Sequence, residues 1–297
     1  MDNNNLLKVV INKEMQSKNT HINDSKSEKA PFRELGVDVL SEIIAHKRKE
    51  VAEQKSKASY AQLERELTNC NLPIYSLKNA LLQSDTGIIA EFKRRSPSKG
   101  WINRNADTGI ITISYEAAGA SALSVLTDKK YFGGTLADLQ TAAKNVKIPV
   151  MRKEFIVDEY QILQARVSGA SAILLIAAAL TVEESYRFAR FAKQLNLDVL
   201  LELHDEKEIE YVSQENTIIG INNRNLGTFV TDLEKSYKMI ELLPKSAVLV
   251  SESGISDPET VKELRKAGYK GFLIGENFMK TDNPGKYLEE FIKNVIQ

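Results

Sequence analysis

Cysteine is almost absent from this chain. Of 297 residues only Cys70 carries a thiol, which excludes an internal disulfide and suits a reducing cytosol. Long apolar runs are missing too: no stretch approaches the roughly 20 residues that span a bilayer, and the N-terminus lacks the apolar core of a signal peptide. Its mixture of Asp, Glu and Lys also excludes an Arg-rich, acid-poor transit peptide. Nor is one sign of charge in excess. Lys+Arg and Asp+Glu balance at 40 each, so no global field recruits nucleic acid or an anionic membrane, and any anion must be held by local groups. A soluble cytoplasmic protein with neither nucleic acid nor membrane as partner is expected.

What is present is an ordinary composition, 42 % hydrophobic and 27 % charged, at a length that allows one large domain or two small ones. Residues 1–34 read as a polar, Asn/Ser/Lys-rich leader with one apolar patch at Leu6–Ile11. So little apolar surface does not offset the entropy of ordering, and a mobile leader is expected. The remainder, 35–297, is expected to be one domain, opened by a helical extension over 37–82. There, helical spacing of Leu40, Ile43, Ile44 and Val51 predicts a helix from Val37 to about Lys57, with shorter ones at Tyr60–Thr68 and Leu77–Leu82.

From Gly87 onward eight apolar runs recur, at Ile88–Phe92, Ala122–Leu126, Ile148–Met151, Ala172–Ala178, Val199–Leu203, Ile218–Ile221, Ala247–Val250 and Gly271–Ile274. Amphipathic stretches separate them, at Asp107–Ala118, Asp158–Val167, Val182–Leu195, Leu233–Leu243 and Pro258–Ala267. Alternation of strand and helix signals βαβ units and a parallel sheet. Eight units of about 25 residues fit an α/β fold of the (β/α)8 TIM-barrel type, with extra helices ahead of its first strand. A doubly wound sheet fits less well, because no Gly-x-Gly-x-x-Gly follows the first run and no Walker sequence occurs.

In a barrel of this kind the active site forms at the C-terminal ends of the strands, and polar residues collect there. The first run ends in Glu91, Lys93 and Ser96, the second in Thr127-Asp-Lys-Lys-Tyr-Phe-Gly-Gly134, and the third in Arg152-Lys-Glu-Phe155. Glu202 stands among leucines in the fifth; the sixth ends in Asn222-Asn-Arg-Asn225, the seventh in Ser251-Glu-Ser-Gly254 and the eighth in Gly275-Glu-Asn277. The fourth run offers no polar residue and is expected to supply an apolar wall. Residues two apart share a face, which aligns Glu91 with Lys93, Leu200 with Glu202 and His204, Asn222 with Arg224, and Val250 with Glu252. A surface ion pair accounts for Glu91 and Lys93 alone, and a paired structural carboxylate for Glu202 alone. Several inward charges at one mouth signify a pocket instead. Ser253-Gly254 and Gly275-Glu276 follow the seventh and eighth strands, where such barrels commonly build a phosphate site. Lys93, Lys130, Lys153 and Arg224 nearly balance Glu91, Glu202 and Glu252, so the mouth carries both signs of charge and is not a purely basic anion trap. His46 reads as a solvated helix residue, and a partner role behind Glu202 is one of the roles open to His204.

The segments Glu91-Phe-Lys-Arg-Arg-Ser-Pro-Ser, Val125-Leu-Thr-Asp-Lys-Lys-Tyr-Phe-Gly-Gly, Arg152-Lys-Glu-Phe-Ile, Gly220-Ile-Asn-Asn-Arg-Asn-Leu and Ser251-Glu-Ser-Gly-Ile resemble the indole-3-glycerol-phosphate synthase family in the same order. The resemblance implies a carboxy-lyase of tryptophan biosynthesis, acting on 1-(2-carboxyphenylamino)-1-deoxyribulose 5-phosphate with neither metal nor organic cofactor. It implies Lys130 as the acid for ring closure, with Lys129 as its ambiguous neighbour. Glu202 would stabilise the cationic intermediate or act as base, and Glu91, Lys93, Asn222, Glu252 and Ser253 complete the catalytic set. Ser96, Phe132, Lys153, Arg224, Leu226, Gly254, Gly275 and Glu276 would bind substrate. A monomer is expected, with other enzymes of the same pathway as its protein partners. Phosphoribosylanthranilate isomerase, a rival on the same fold, wants a cysteine and aspartate pair, and the barrel segment holds no cysteine. The remaining alternative is a non-catalytic barrel subunit.

Overall fold

Eight apolar runs close on themselves in the computed structural model, which describes residues 39–297. The expected leader, its patch at Leu6–Ile11 and the expected helix start at Val37 lie outside the described residues. The strands are β1 (Ile88–Phe92), β2 (Ala122–Leu126), β3 (Val150–Lys153), β4 (Ala172–Ile176), β5 (Asp198–Leu203), β6 (Ile218–Asn222), β7 (Val248–Glu252) and β8 (Gly271–Ile274). Each pairs in parallel with its sequence neighbours, and β1 meets β8 through Ile88↔Phe272 and Ala90↔Ile274 to complete a closed eight-stranded barrel. The helices are α1 (Val39–Lys57), α2 (Tyr60–Thr68), α3 (Leu77–Gln83), α4 (Thr108–Ala117), α5 (Lys129–Phe132), α6 (Leu136–Asn145), α7 (Glu159–Val167), α8 (Val182–Gln194), α9 (Glu234–Ile240), α10 (Pro258–Ala267), α11 (Glu276–Met279) and α12 (Pro284–Ile296). None of them is long and apolar enough to cross a membrane.

The strands read as nearly continuous apolar runs because both faces are covered. Ile88, Ala90, Leu123, Val125, Ile173 and Leu201 face the helical ring, whereas Ile89, Ala122, Met151, Leu174, Leu200, Ile218 and Val250 fill the barrel. Helix α3 plugs the end opposite the site. Its Leu77 and Leu81 are fully buried within the inner cluster, and Asp198 at the start of β5 accepts hydrogen bonds from Ser76 Oγ (3.0 Å) and Lys78 N (3.1 Å). Side-chain caps start most of the outer helices, among them Asp107, Asp128, Thr135, Asp158, Asp257 and Thr181, the last in a reciprocal box with Glu184.

Three departures from the expected elements matter to the site. Strand β3 begins at Val150 and runs through Lys153, which carries that lysine into the barrel mouth instead of leaving it on a loop. Strand β4 stops at Ile176 and turns into a 3-10 segment, Ala177–Ala179. After β5 a 3-10 segment, Glu206–Tyr211, stands where the other units place an α-helix. A two-stranded ribbon, Arg95–Ser96 with Gly100–Trp101, also projects from the loop after β1.

Candidate active site

Strand parity brings the polar groups together. Inward positions on β1, β3, β5, β6 and β7 continue from Ile89, Met151, Leu200, Ile218 and Val250 to Glu91, Lys153, Glu202, Asn222 and Glu252. The three carboxylates are almost fully buried, at 3 %, 3 % and 1 % exposure for Glu91, Glu202 and Glu252, so their charge must be met by neighbours. Lys153 meets most of it: its Nζ lies 3.0 Å from Glu202 Oε2 and 2.8 Å from Glu252 Oε2. Across the mouth Lys93 Nζ sits 2.7 Å from Glu91 Oε1. Asn222 Nδ2 donates to Glu202 Oε1 at 3.1 Å.

Two glycines make room for this packing. A Cβ at Gly220, on β6, would stand 2.2 Å from Glu252 Oε1, and one at Gly275 would stand 2.5 Å from Glu91 Oε1. Each carboxylate therefore occupies a slot opened by the adjoining strand or its loop.

Electrostatics divide the charged groups into donors and an acceptor. Burial pushes Glu252 up, against the pull of Lys153 and with the repulsion of Glu202, to about 8, so its carboxyl is largely protonated at neutral pH. Burial works against the charge of Glu202 as well. There the Lys153 ammonium and His204 prevail and hold the carboxyl well below the ordinary range. Burial opposes the Lys153 ammonium, yet Glu202, Glu252 and Glu91 outweigh it and keep the amine protonated. Two coupled carboxylates sharing one ammonium thus settle as one anion and one acid.

The mouth is amphipathic. Leu174 and Ile176 of β4 form the expected apolar wall, and Phe132 and Phe155 face each other at 6.1 Å between ring centroids. Val39, Leu40 and Ile43 of α1 add an apolar cover that the sequence pattern did not reveal, since their helix reads as amphipathic whichever surface it meets. On the opposite rim Arg224 Nη1 donates to Ser98 Oγ at 3.1 Å, with Arg224 Nη2 3.8 Å from Glu276 Oε2. Ser96, Leu226, Ser253, Gly254, Gly275 and Glu276 also line the pocket. Ser253 and Gly254 are consecutive residues with positive φ, 67° and 80°, and a Cβ at Gly254 would meet Thr231 Cγ2 at 2.4 Å.

Lys130 does not reach this pocket. Asp128 caps the short helix α5 by accepting from the N–H groups of Tyr131 and Phe132, which turns Phe132 inward and Lys129 and Lys130 outward. The Lys130 ammonium lies 3.6 Å from Glu42 Oε1 and 4.8 Å from the Tyr131 ring centroid, half-exposed. Beneath that turn lies a further group missed in the sequence. Lys47 of α1 is 1 % exposed, with Nζ 2.8 Å from Asp128 Oδ2, 2.8 Å from Glu50 Oε2 and 3.1 Å from Glu154 Oε1. It ties α1 both to the cap that turns Phe132 inward and to the residue after Lys153. Its place on a charged helix gave no hint of burial. Among the described residues no cluster of three or more His, Cys, Asp or Glu could hold a metal.

Comparison with known proteins agrees with the geometry. The family model "Indole-3-glycerol phosphate synthase" matches residues 40–291. The chain is 57 % identical over 258 residues to an indole-3-glycerol phosphate synthase of Bacteroides thetaiotaomicron, covering 87 % of this chain and 99 % of the relative. It is 41 % identical over 262 residues to one of Aliarcobacter butzleri, covering 87 % and 99 %. A third, of Acidithiobacillus ferrooxidans, is 41 % identical over 256 residues, covering 85 % and 97 %. With a closed barrel, an acid-base cluster at its mouth and relatives matched almost end to end, the chain belongs to the indole-3-glycerol phosphate synthase family.

Proposed function

We propose that this pocket converts 1-(2-carboxyphenylamino)-1-deoxyribulose 5-phosphate into indole-3-glycerol phosphate, carbon dioxide and water, as a cytoplasmic carboxy-lyase of tryptophan biosynthesis. The observation that carries the reading is the buried Lys153 ammonium, 3.0 Å from Glu202 and 2.8 Å from Glu252, facing the Lys93–Glu91 pair. Ring closure needs a proton on the ketone oxygen as the aromatic carbon attacks. Decarboxylation then restores the aromatic ring, and dehydration needs an acid for the hydroxyl and a base for the proton lost from the substrate.

The acid role passes from Lys130 to Lys153, because Lys153 points into the pocket and Lys130 does not. Lys93 serves the carboxylate of the ring and the leaving hydroxyl, and Glu202, the group kept ionised, accepts a proton and stabilises the cationic intermediate. Asn222 orients Glu202 through its hydrogen bond. Ser96 and Arg224 hold the substrate's polar groups on one rim, while Phe132, Phe155 and β4 enclose the aromatic ring. The phosphate sits on backbone N–H groups near Ser253, Gly254, Gly275 and Glu276, where positive φ and missing side chains let main chain approach an anion.

Purified protein mixed with the carboxyphenylamino substrate should generate indole fluorescence. Folded protein that gives none refutes the reading. Lys153→Ala should lose turnover while still binding a non-reacting substrate analogue.

A further inference from the structure

The proposed reaction consumes a proton, and this inference rests on that reading. The ketone oxygen leaves as water and so takes up two protons, while the C–H proton lost at dehydration returns one. The substrate's carboxylate departs as neutral carbon dioxide. One proton must therefore enter from solvent in every turnover, and a substrate seated over Lys153 and Glu202 covers the mouth through which water would bring it.

His204 lies behind Glu202, outside the pocket lining. Its Nε2 is 3.1 Å from Glu202 Oε1, and its Nδ1 is 3.8 Å from Glu208 Oε2. Neither contact is aligned as a hydrogen bond in this conformation, so a largely buried imidazole stands between two carboxylates, closer to Glu202 than to Glu208. Glu208 is fixed by the His204 backbone N–H, which donates to Glu208 Oε2 at 2.5 Å, and its side chain keeps 15 % exposure. Burial holds the Glu208 carboxyl above its ordinary range, against the pull of His204. This line exists because the 3-10 segment after β5 places Glu208 four residues beyond His204, on the solvent side of the strand end.

We propose that Glu208 and His204 form a proton inlet that recharges the site from solvent through the barrel wall. Glu208 takes a proton from water and passes it to His204 Nδ1, and the Nε2 proton moves to the Glu202 carboxylate. Glu202 then returns a proton to Lys153, 3.0 Å away, left as the free amine after it protonates the substrate oxygen. One proton leaves solvent and one arrives on Lys153 after ring closure, while the proton that Glu202 takes from the substrate at dehydration replaces the one Lys93 gives to the leaving hydroxyl; each relay group regains its starting state once the imidazole turns its tautomer back. The imidazole suits this task because it can accept on one nitrogen while releasing from the other. His204 and Glu208 act here through Glu202, as positioning and relay groups.

The test compares wild type with His204→Asn and Glu208→Gln, measuring kcat and KM in dilute buffer and again with imidazole added. The inlet predicts that kcat of His204→Asn falls about 10²-fold, the low end for a positioned proton-transfer group, with KM unchanged. Added imidazole restores much of the rate, a response a purely structural role would not give. Glu208→Gln, which retains an oxygen for the His204 N–H, shows a smaller loss with the same rescue. Should His204→Asn fail to fold, Glu208→Gln decides. Unchanged kcat in the variants, or a loss that imidazole does not relieve, overturns the inlet. A wild type without turnover overturns the reaction and the inlet together.

Discussion

Replacing Lys153 with methionine keeps much of the side-chain volume and removes the charge that two buried carboxylates share. Glu202 and Glu252 sit within 3.0 Å of its Nζ at 3 % and 1 % exposure, so neither can turn to water. Breaking a buried pair by removing one partner costs about 3–5 kcal/mol. For a domain of this size that is a fall of about 6–20 °C in melting temperature. The loss should depend on pH in a stated direction. In the wild type Glu202 is held below its ordinary 4.5, so its contribution is present above that value and fades as pH falls through the folded value. Glu252 has the opposite sign: held up to about 8, it costs stability as pH rises from about 4.5 towards 8. Without the ammonium both carboxyls shift upward, both bind protons more tightly in the folded state, and stability declines as pH rises over that window. Thermal unfolding of Lys153→Met at pH 5.5 and pH 8.5 measures this directly. The melting temperature should lie well below wild type at pH 8.5 and recover much of the difference at pH 5.5. A variant as stable as wild type at pH 8.5, or one whose deficit is the same at both pH values, would show that Lys153 does not neutralise the pair.

Lys130→Ala should keep turnover within a few-fold of wild type and leave the melting temperature unchanged, since its ammonium is half-exposed at Glu42; abolished turnover in steady-state assays would return the acid role to α5. Gly220→Ala puts a methyl 2.2 Å from Glu252 Oε1, so overpacking should cost about 1–3 kcal/mol and displace a reacting group. Denaturant midpoint and kcat should fall together, and a fully active variant would mean that the slot is not needed. Lys47→Met leaves Asp128 buried without its cation and Glu154 with only Arg152, 3.7 Å away, and should destabilise by about 3–5 kcal/mol. Because Asp128 caps the turn that carries Phe132, KM should rise as well; an unaltered melting temperature would refute the assigned role.

Much of this site could be read before any fold was seen. Period-two parity placed Glu91, Lys93, Glu202, Asn222 and Glu252 on inward faces, because a strand leaves its side chains no other choice. The choice between lysines was less legible. Lys130 stands in a conspicuous polar loop, and nothing local shows that Asp128 winds that loop into a helical turn facing Glu42. Lys153 does follow Met151 by two, so extending the third strand by two residues would have revealed it. Gly220 and Lys47 left no signal, since their roles depend on carboxylates supplied by other elements of the fold. The helical cover from α1 was hidden for the same reason: an amphipathic helix states that it packs but does not say against what.

The slot that Gly275 leaves for Glu91 lies across the seam where β8 meets β1. Barrel closure there joins the barrel's eighth strand to its first. A nascent chain that has emerged only through β7 holds nearly every charged group of the mouth, yet nothing defines the wall beside Glu91 until Gly275 arrives. Closure of the barrel and completion of the reacting centre are one event in this molecule. Fragments lacking the eighth βα unit should therefore be inactive for want of a boundary, and adding that unit in trans should restore the position of a side chain encoded almost two hundred residues earlier.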